Sequence, residues 1–229
     1  MSHSIVAVII VMFILGTDLL SVPRVSANQD VWYTQIGQWH LQKSITKRTV
    51  RSSTIDVSFL SFDNQFDSAR SGLATANVRL NKTIHDIQSF SARLAAGPAP
   101  SIAGLLIQNK ESNYYFMLIR GKDSDSLQIN LVRGNRIVFL ASSCINISDT
   151  TNLSLVTHDD TLILRADKFR LCIAIPPDFS QLTSIGFECP KGSVKVFSAC
   201  IESRDFSVDE SFDNATLINL HLDRMLKKN

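Results

Sequence analysis

The chain has 229 residues, of which 45% are hydrophobic and 19% are charged, and its formal net charge is +2. This apolar fraction excludes a disordered chain, and nine glycines with six prolines exclude a collagen-like or low-complexity one. The near balance of charge lacks the basic surface that most nucleic-acid-binding proteins show, so we expect no nucleic-acid partner. The length suits one domain of ordinary size.

The N-terminal segment is typical of a secretory signal peptide. Residues 4–16 form an apolar run, Asp18 ends it, and Val25-Ser26-Ala27 offers the side chains that a signal peptidase reads. A run of about 13 residues is too short to cross a hydrocarbon core, which takes roughly 20. Residues 1–27 are therefore predicted to be removed, leaving a secreted or periplasmic protein. No Lys or Arg precedes the run, so an uncleaved anchor is the alternative, and only then would a membrane be a partner.

Four cysteines follow this segment: Cys144, Cys172, Cys189 and Cys200. An even count in an exported chain predicts two disulfides, and the absence of Cys-x-x-Cys spacing argues against a metal site. Residues 185–189 and 194–200 are typical of a hairpin. Cys189 would then lie beside the turn, with Cys200 about 20 Å along the partner strand. A disulfide needs Cα atoms within about 7 Å, so each of these two cysteines is expected to bond with Cys144 or Cys172.

Four Asn-x-Ser/Thr sequons occur along the chain, at Asn81, Asn146, Asn152 and Asn214. All four fall in predicted loops or at predicted strand edges. They predict glycosylation in a host that has the machinery.

From residue 54 to residue 203 the dominant hydrophobic period is two, with turn residues between the runs. Gly134-Asn135 predicts a two-residue hairpin turn, and residues 158–160 predict another turn. Residues 113–120 are apolar on both faces, which is typical of a central strand. About ten short strands joined by tight turns predict an all-β antiparallel sandwich of two sheets.

The C-terminal segment has a helical period instead. Asp213 or Asn214 can cap a helix over residues 215–227, which would place Leu217 and Leu220 on one side. Residues 209–229 are therefore predicted to form a short helical tail after a sandwich of residues 28–208.

Several motifs follow one another in an order known from one fold family. They are Gly37-Gln38-Trp39, Ala103-Gly104-Leu105, Tyr114-Tyr115 and Ile185-Gly186-Phe187. In this order they resemble the concanavalin A-like lectin and glucanase jelly rolls, over most of the predicted mature chain. The resemblance implies a jelly-roll sandwich whose concave sheet presents side chains to a ligand, and it bears on the fold more than on the function.

The catalytic residues of the jelly-roll glucanases are missing. Those enzymes carry Glu-x-Asp-x-x-Glu on one strand, because a retaining pair of carboxylates must lie about 5–5.5 Å apart. The four glutamates of this chain lack that spacing: Glu111, Glu188, Glu202 and Glu210. Serine-hydrolase, zinc-protease and phosphate-loop motifs are also absent. We therefore expect a non-catalytic domain that needs no cofactor and no metal.

The remaining polar candidates fit turns or surfaces. Residues 158–160 contain His and two Asp, residue types that favour turns, and His85-Asp86 is typical of a surface pair. Asp123 and Asp125 offer two carboxylates, whereas a calcium site needs six or more oxygens.

Aromatic side chains are the main indication of a binding site. Trp32, Tyr114 and Tyr115 are candidates for stacking on sugar rings. Adjacent strand residues point in opposite directions, so one tyrosine of the pair is expected in the core and the other on the outer, concave surface.

The main hypothesis is a secreted, non-catalytic jelly-roll domain that binds carbohydrate or an extracellular protein surface. One alternative is a diverged glycoside-active enzyme of the keto-disaccharide hydrolase type, with a site built from groups such as Asp56 and His85. The other is a structural or adhesive module of a secreted assembly, which would dock through the C-terminal helix.

Overall fold

The computed structural model describes residues 24–25, 31–46, 55–63, 76–134, 136–179, 184–204, 207–213 and 215–219. These residues contain seventeen strands, and none of them belongs to a helix long and apolar enough to span a membrane. In chain order the strands are β1 (Arg24–Val25), β2 (Val31–Ile36), β3 (Trp39–Thr46), β4 (Ile55–Asp63), β5 (Ala76–Leu80), β6 (Ile87–Ala96), β7 (Ser101–Gln108), β8 (Ser112–Arg120), β9 (Asp125–Arg133), β10 (Arg136–Ile145), β11 (Thr151–His158), β12 (Thr161–Ala166), β13 (Phe169–Ala174), β14 (Ser184–Lys191), β15 (Ser193–Ser203), β16 (Ser207–Glu210) and β17 (Thr216–Asn219).

The strands form two sheets. In sheet A the order is β1-β16-β15-β6-β11-β12-β13, and β4 pairs with both β15 and β3. In sheet B the order is β10-β9-β8-β7-β14-β5-β2-β17. The pairs β1–β16 and β2–β17 are parallel, and the other strand pairs are antiparallel. The predicted antiparallel two-sheet sandwich is confirmed, and β8 lies inside sheet B as predicted.

The core lies between the two sheets and follows the alternation of the strands. Tyr114, Phe116 and Leu118 of β8 are fully buried in it, as are Phe90 and Leu94 of β6. Successive strand residues point to opposite faces, so the residues between them face away from the core. Fully burying a large apolar side chain stabilises the fold by about 1.5–3 kcal/mol.

Two glycines lie where the chain passes from one sheet to the other. Gly37 connects β2 to β3 with φ 87°, and Gly192 connects β14 to β15 with φ 76°. Residues with a side chain rarely adopt such angles. The predicted hairpin of residues 185–189 with residues 194–200 is therefore wrong, because β14 belongs to sheet B and β15 to sheet A. The predicted turn at Gly134 is confirmed, since Arg133 pairs with Arg136 across it.

The predicted C-terminal helix is wrong for residues 216–219, which form β17. This strand pairs in parallel with β2 and places Leu217 opposite Trp32. Leu217 packs against the core while Ile218 is exposed, which is the alternation of a strand. Pairing with a strand far away in the sequence decides the conformation, and the local period does not contain that information. The rest of the predicted helix lies outside the described residues.

Each predicted boundary of the sandwich leaves strand residues of sheet A outside it. β16 lies on both sides of the boundary placed after residue 208, so residues 209 and 210 belong to sheet A. Arg24 and Val25 fall inside the predicted signal peptide, yet they form β1 beside β16. Cleavage after Ala27 would remove this two-residue strand. The apolar run of residues 4–16 lies outside the described residues.

The two predicted disulfides are absent, because all four cysteines, each within the described residues, are free. Cys144 and Cys172 are exposed on different sheets, and Cys189 is buried in the core. Cys200 lies in β15, four strands from Cys172 in β13. At about 4.8 Å per strand this separation is near 19 Å, far beyond the reach of a disulfide.

Candidate binding site

Three rows of side chains run across the central strands of sheet B on the face that points away from the core. The first row, from β9 to β2, is Asn130, Tyr115, Leu106, Gly186, Arg79 and Tyr33. The second is Gln128, Met117, Gly104, Glu188 and Asn77. The third is Val132, Asn113, Gln108 and Ser184. We call seven of these residues the outer-face site: Tyr33, Asn77, Arg79, Asn113, Tyr115, Ser184 and Glu188.

Part of the outer-face site is inaccessible to solvent although it lies on the far side from the core. Glu188 is 1% exposed, Asn77 is 5% exposed and Arg79 is 7% exposed. Charged side chains are almost never this buried unless they are paired, because removing them from water is costly. An arginine and a glutamate on neighbouring strands therefore distinguish this face from an ordinary solvated sheet surface.

Two glycines interrupt the side-chain layer in the middle of this face. Gly186 lies across from Arg79, and a Cβ added there would lie 2.0 Å from the Val78 carbonyl oxygen. Gly104 lies across from Glu188, and its Cβ would lie 2.1 Å from the Phe116 carbonyl oxygen. The close approach of the neighbouring strand therefore requires glycine at both positions. Neither glycine contributes a side chain to the layer, in which Arg79 and Glu188 are their neighbours.

The electrostatics of the site depend on this burial. Desolvation lowers the pKa of Arg79, while Tyr33, Glu188 and Tyr115 act in the opposite direction. Desolvation, and after it the proximity of Glu188, raises the pKa of Tyr115 to about 12. At neutral pH the Tyr115 hydroxyl is therefore neutral.

Four buried polar atoms of the site have no hydrogen-bond partner among the residues that the structure describes. They are Asn77 Oδ1, Arg79 Nε, Asn113 Oδ1 and Ser184 Oγ. Leaving a buried polar atom unpaired costs about 1–3 kcal/mol, and most buried polar atoms in folded proteins are paired. Four such atoms therefore lie together on one face of sheet B.

Tyr115 is the one predicted binding residue that lies on this face. It is half-buried and opposes Asn130 on one side and Leu106 on the other. Tyr114 points the other way, is fully buried, and its hydroxyl donates a hydrogen bond to the Asp178 carboxylate. Of the two tyrosines, Tyr114 is therefore the one in the core, and its ring has no surface open to solvent.

Trp32, the third predicted binding residue, lies in the core. Its side chain is fully buried, and Nε1 donates a hydrogen bond to Glu210 Oε2 at 3.1 Å. The indole stacks on Phe187, with 5.3 Å between the ring centroids. Tyr33, the next residue, faces outward and takes the place in the site that we predicted for Trp32.

The other polar candidates lie away from the outer-face site. His158 and Asp159 are an exposed pair at the turn between β11 and β12, with 3.0 Å between Nδ1 and Oδ2. His85 is exposed in the loop before β6. Asp56 lies in β4 of sheet A, and its side chain is outside the described residues. No three His, Cys, Asp or Glu side chains within the described ranges are grouped as metal ligands would be.

Three of the four predicted sequon asparagines are exposed in the structure. They are Asn81, Asn146 and Asn152, of which the last also donates a hydrogen bond of 3.4 Å from Nδ2 to Asp167 Oδ1. Asn214 lies outside the described residues. Glycosylation of these positions stays a prediction.

The sequence reasoning missed Asn77, Arg79 and Glu188. β5 was not among the predicted strands, so Asn77 and Arg79 had no assigned face. Glu188 had a detectable signal, because it alternates with the apolar residues Phe187 and Cys189 in a strand that is otherwise apolar. A charged residue in that position is placed on the face opposite the core.

No protein-family model matches the chain, and no curated protein matches it. Among solved structures, it is similar to the carbohydrate-binding module CBM66 from Bacillus subtilis, with 10% identity, coverage of 82% of this chain and 100% of that one, and a TM-score of 0.47. It is similar to chicken galectin 2, with 9% identity and a TM-score of 0.42. This match covers 53% of this chain and 95% of the galectin. It is also similar to the family 7 alginate lyase A1-II', with 11% identity and a TM-score of 0.44. This match covers 63% of this chain and 79% of the lyase. These likenesses concern the fold alone and assign no ligand to this chain.

Proposed function

We propose that this protein binds carbohydrate at the outer-face site. The observation that carries the proposal is the group of unpaired buried polar atoms beside Gly186, with Tyr33 and Tyr115 in the same row of side chains. Sugar hydroxyls can both donate and accept hydrogen bonds, so they match unpaired atoms of both kinds. Tyrosine rings present a flat apolar surface with a polar edge, which suits the faces of sugar rings.

Binding without hydrolysis fits the carboxylates of this face. Among the eight strands of sheet B, the acidic residues are Asp125 and Glu188. Asp125 alternates in phase with the core residues Leu127 and Ile129, and its Oδ2 accepts a hydrogen bond from the Ile147 amide at 3.0 Å. Glu188 is therefore the single carboxylate that the described strands of sheet B place on the outer face, whereas most glycoside hydrolases use two. We accordingly propose a non-catalytic binding domain.

The compartment is part of the proposal. An apolar run at residues 4–16 and a cleavage site after Ala27 are the features that favour export. Sequencing the N-terminus of the protein recovered from the medium or periplasm checks this point. A chain that begins at Asn28 supports export, and an intact Met1 in the cytoplasmic fraction contradicts it.

The test of binding is a screen of the full chain against a glycan array, followed by isothermal titration calorimetry on the glycans that bind. Tyr115→Ala should weaken binding about tenfold, since a stacking contact of about 1.4 kcal/mol corresponds to that factor. Phe197→Ala is the matched control. It removes a half-buried aromatic ring in β15 of sheet A, where Phe197 packs against Phe59 with 5.6 Å between the ring centroids.

The expected result is loss of affinity in Tyr115→Ala and an unchanged affinity in Phe197→Ala, with both variants folded by circular dichroism. Two results would overturn the proposal. One is the absence of binding to every glycan on the array. The other is an equal loss of affinity in the two variants, because that would place the ligand away from sheet B.

A further inference from the structure

Strand β10 is a long edge strand of sheet B that carries no charge beyond its first residue. It pairs with β9 on one side, and no strand among the described residues pairs with its other side. β13, the neighbouring edge strand of sheet A, packs near β10 without pairing with it. Residues 137–145 contain no charged residue and no proline. The unpaired N–H and C=O groups of such an edge can pair with another chain.

The other edge strands in the described part of the chain are protected against such pairing. β1 has two residues and β17 has four. β3 carries the exposed Lys43, and β13 carries the exposed Arg170. Short length and charged side chains are two of the usual ways in which proteins keep the edge of a sheet from associating. β10 has ten residues and lacks both protections over most of its length.

Three consecutive apolar side chains of β10 are exposed to solvent. Ile137 is 61% exposed, Val138 is 45% exposed and Phe139 is 57% exposed. Within the described residues, Ile218, at the opposite edge of sheet B, is the other exposed large apolar side chain. Single exposed apolar residues are ordinary, but a contiguous group on an unprotected edge is typical of an interaction surface. The three residues also pair with β9 in regular register, which shifts only after Phe139.

We infer that β10 pairs antiparallel with β10 of a second copy of this chain, with Val138 of the two copies opposite each other. This centre places Ile137 of each copy opposite Phe139 of the other. A β-branched residue opposite an aromatic residue is a favourable cross-strand pair. Each copy then covers the exposed apolar side chains of the other and pairs its free backbone groups. The contact uses the same strand on both copies, so it closes with two chains.

The position of Arg136 favours the antiparallel arrangement. Arg136 is the single charged residue of β10. A parallel pair of identical strands in register would place the two arginines directly opposite each other, which is unfavourable. In the antiparallel pair centred on Val138, Arg136 lies opposite Leu140 of the other copy. The two arginines are then four residues apart, or about 14 Å along the strands, beyond the screening length of about 8 Å at physiological salt.

The small size of this surface sets the expected strength of the dimer. A standard stable interface buries about 800 Å² on each partner. A complete aromatic side chain buries about 150–250 Å², and Phe139, which is 57% exposed, offers only part of that area. Three side chains and a short strand pair therefore bury less than a standard interface. The dimer should be weak and concentration-dependent, with a Kd on the order of 10–100 μM.

Sedimentation equilibrium of the full chain from about 1 μM to about 500 μM tests the dimer. The average mass should rise from that of one chain toward that of two. Val138→Lys places two like charges opposite each other at the centre of the pair, so it should raise the Kd at least about tenfold. Ile218→Lys is the matched control, because it introduces the same charge at an exposed apolar position on the opposite edge of sheet B. This control should keep the Kd of the wild type.

A cross-linking experiment tests the register independently. Directly opposed residues of an antiparallel pair have Cα atoms about 4.5–5.5 Å apart, which a disulfide can bridge. In a background with the exposed Cys144 and Cys172 changed to Ser, Val138→Cys should therefore give a covalent dimer on mild oxidation. Ile218→Cys in the same background should stay monomeric on a non-reducing gel. Circular dichroism checks that each variant is folded.

Three results would overturn the inference. One is a mass that stays at that of a single chain up to the highest concentration. Another is a dimer that Val138→Lys leaves intact, or that Ile218→Lys abolishes, because the interface would then lie away from β10. The third is growth beyond two chains, which contradicts a closed contact. A dimer that Val138→Lys abolishes but that Val138→Cys does not cross-link would overturn the register centred on Val138.

Discussion

Asp178 shows how one side chain ties two neighbouring strands, β8 and β9, together at one end of the sandwich. Its Oδ2 accepts hydrogen bonds from Ser112 Oγ at 2.7 Å and from Arg133 Nη2 at 2.9 Å, and its Oδ1 accepts one from the Tyr114 hydroxyl. Burial acts to raise the pKa of Asp178, but these hydrogen bonds outweigh it and hold the pKa well below its usual range. The ionised carboxylate is therefore the form that stabilises the fold.

A dependence of stability on acid pH follows from this shift. An aspartate in the unfolded chain has a pKa near 3.9, and the folded value of Asp178 is lower. Its contribution is therefore complete above about pH 4 and is lost progressively as the pH falls further. Asp178→Asn should lose about 1–3 kcal/mol at pH 7 and show a shallower loss of stability in acid. Urea unfolding from pH 7 to pH 2 measures both.

The control for Asp178 is Asp123→Asn, which changes an exposed aspartate in the turn before β9. This variant should keep the wild-type stability at pH 7 and the wild-type acid dependence. An Asp178→Asn variant whose acid dependence equals that of the wild type would contradict the role given to the carboxylate.

Tyr114 and Tyr115 are adjacent in sequence and should respond differently to the same substitution. Tyr114 is fully buried, so Tyr114→Ala leaves a cavity and should cost about 3–5 kcal/mol of folding free energy. Tyr115 is half-buried on the outer face, so Tyr115→Ala should cost about 1 kcal/mol. Urea unfolding of the two variants measures the difference. Equal costs would mean that both rings belong to the core.

At this scale the sequence predicts the opposite orientation of the two tyrosines but not which of them faces out. That choice depends on which residues of β8 oppose β7 and β9, and strand register is a long-range property. The same dependence on strand pairing explains why the sequence analysis did not find the outer-face site. Arg79 and Glu188 lie far apart in the chain and meet only because β5 pairs with β14.

At the scale of the elements, β17 shows why a local period can mislead. The segment from Ala215 onward has apolar residues at spacings that fit a helix, and four of its residues form a strand. Short apolar segments are ambiguous between the two periods, and pairing with β2 resolves the ambiguity. The change of sheet at Gly192 has the same origin. A turn-like run of Pro, Lys, Gly and Ser predicts a hairpin, but only the complete fold shows that the strands on its two sides belong to different sheets.

The strand at residues 216–219 can be tested by two neighbouring substitutions. Leu217 packs against the core, and Ile218 is 37% exposed on the other face. Leu217→Ala should cost about 1–3 kcal/mol, and Ile218→Ala about 0.5 kcal/mol, because it removes apolar surface that remains in contact with water. Thermal or urea unfolding measures both. A larger effect at Ile218 would contradict the register of β17 against β2.

At the scale of the whole molecule, the sandwich is held by its core and its strand pairing, without a covalent cross-link among its cysteines. A chain of this length can bury enough apolar surface to fold without disulfides, unlike the small secreted domains that depend on them. The expectation of two disulfides came from the predicted export of the chain. Because the four thiols are free, the cysteines do not support the prediction of export. That prediction then rests on the N-terminal segment alone.

Reactivity of the cysteines provides the test at this scale. Cys144 and Cys172 are exposed and should react rapidly with a thiol reagent in the native protein. Cys189 is buried, and desolvation raises the pKa of its thiol to about 12. The thiolate is the reactive form, so Cys189 should react only after unfolding.

The denatured, non-reduced protein should show all four thiols. Dithiothreitol should leave the melting temperature unchanged, because there is no bridge whose loss would enlarge the entropy of the unfolded chain. Fewer than four thiols after denaturation, or a fall of several degrees on reduction, would contradict the four free cysteines of the structure.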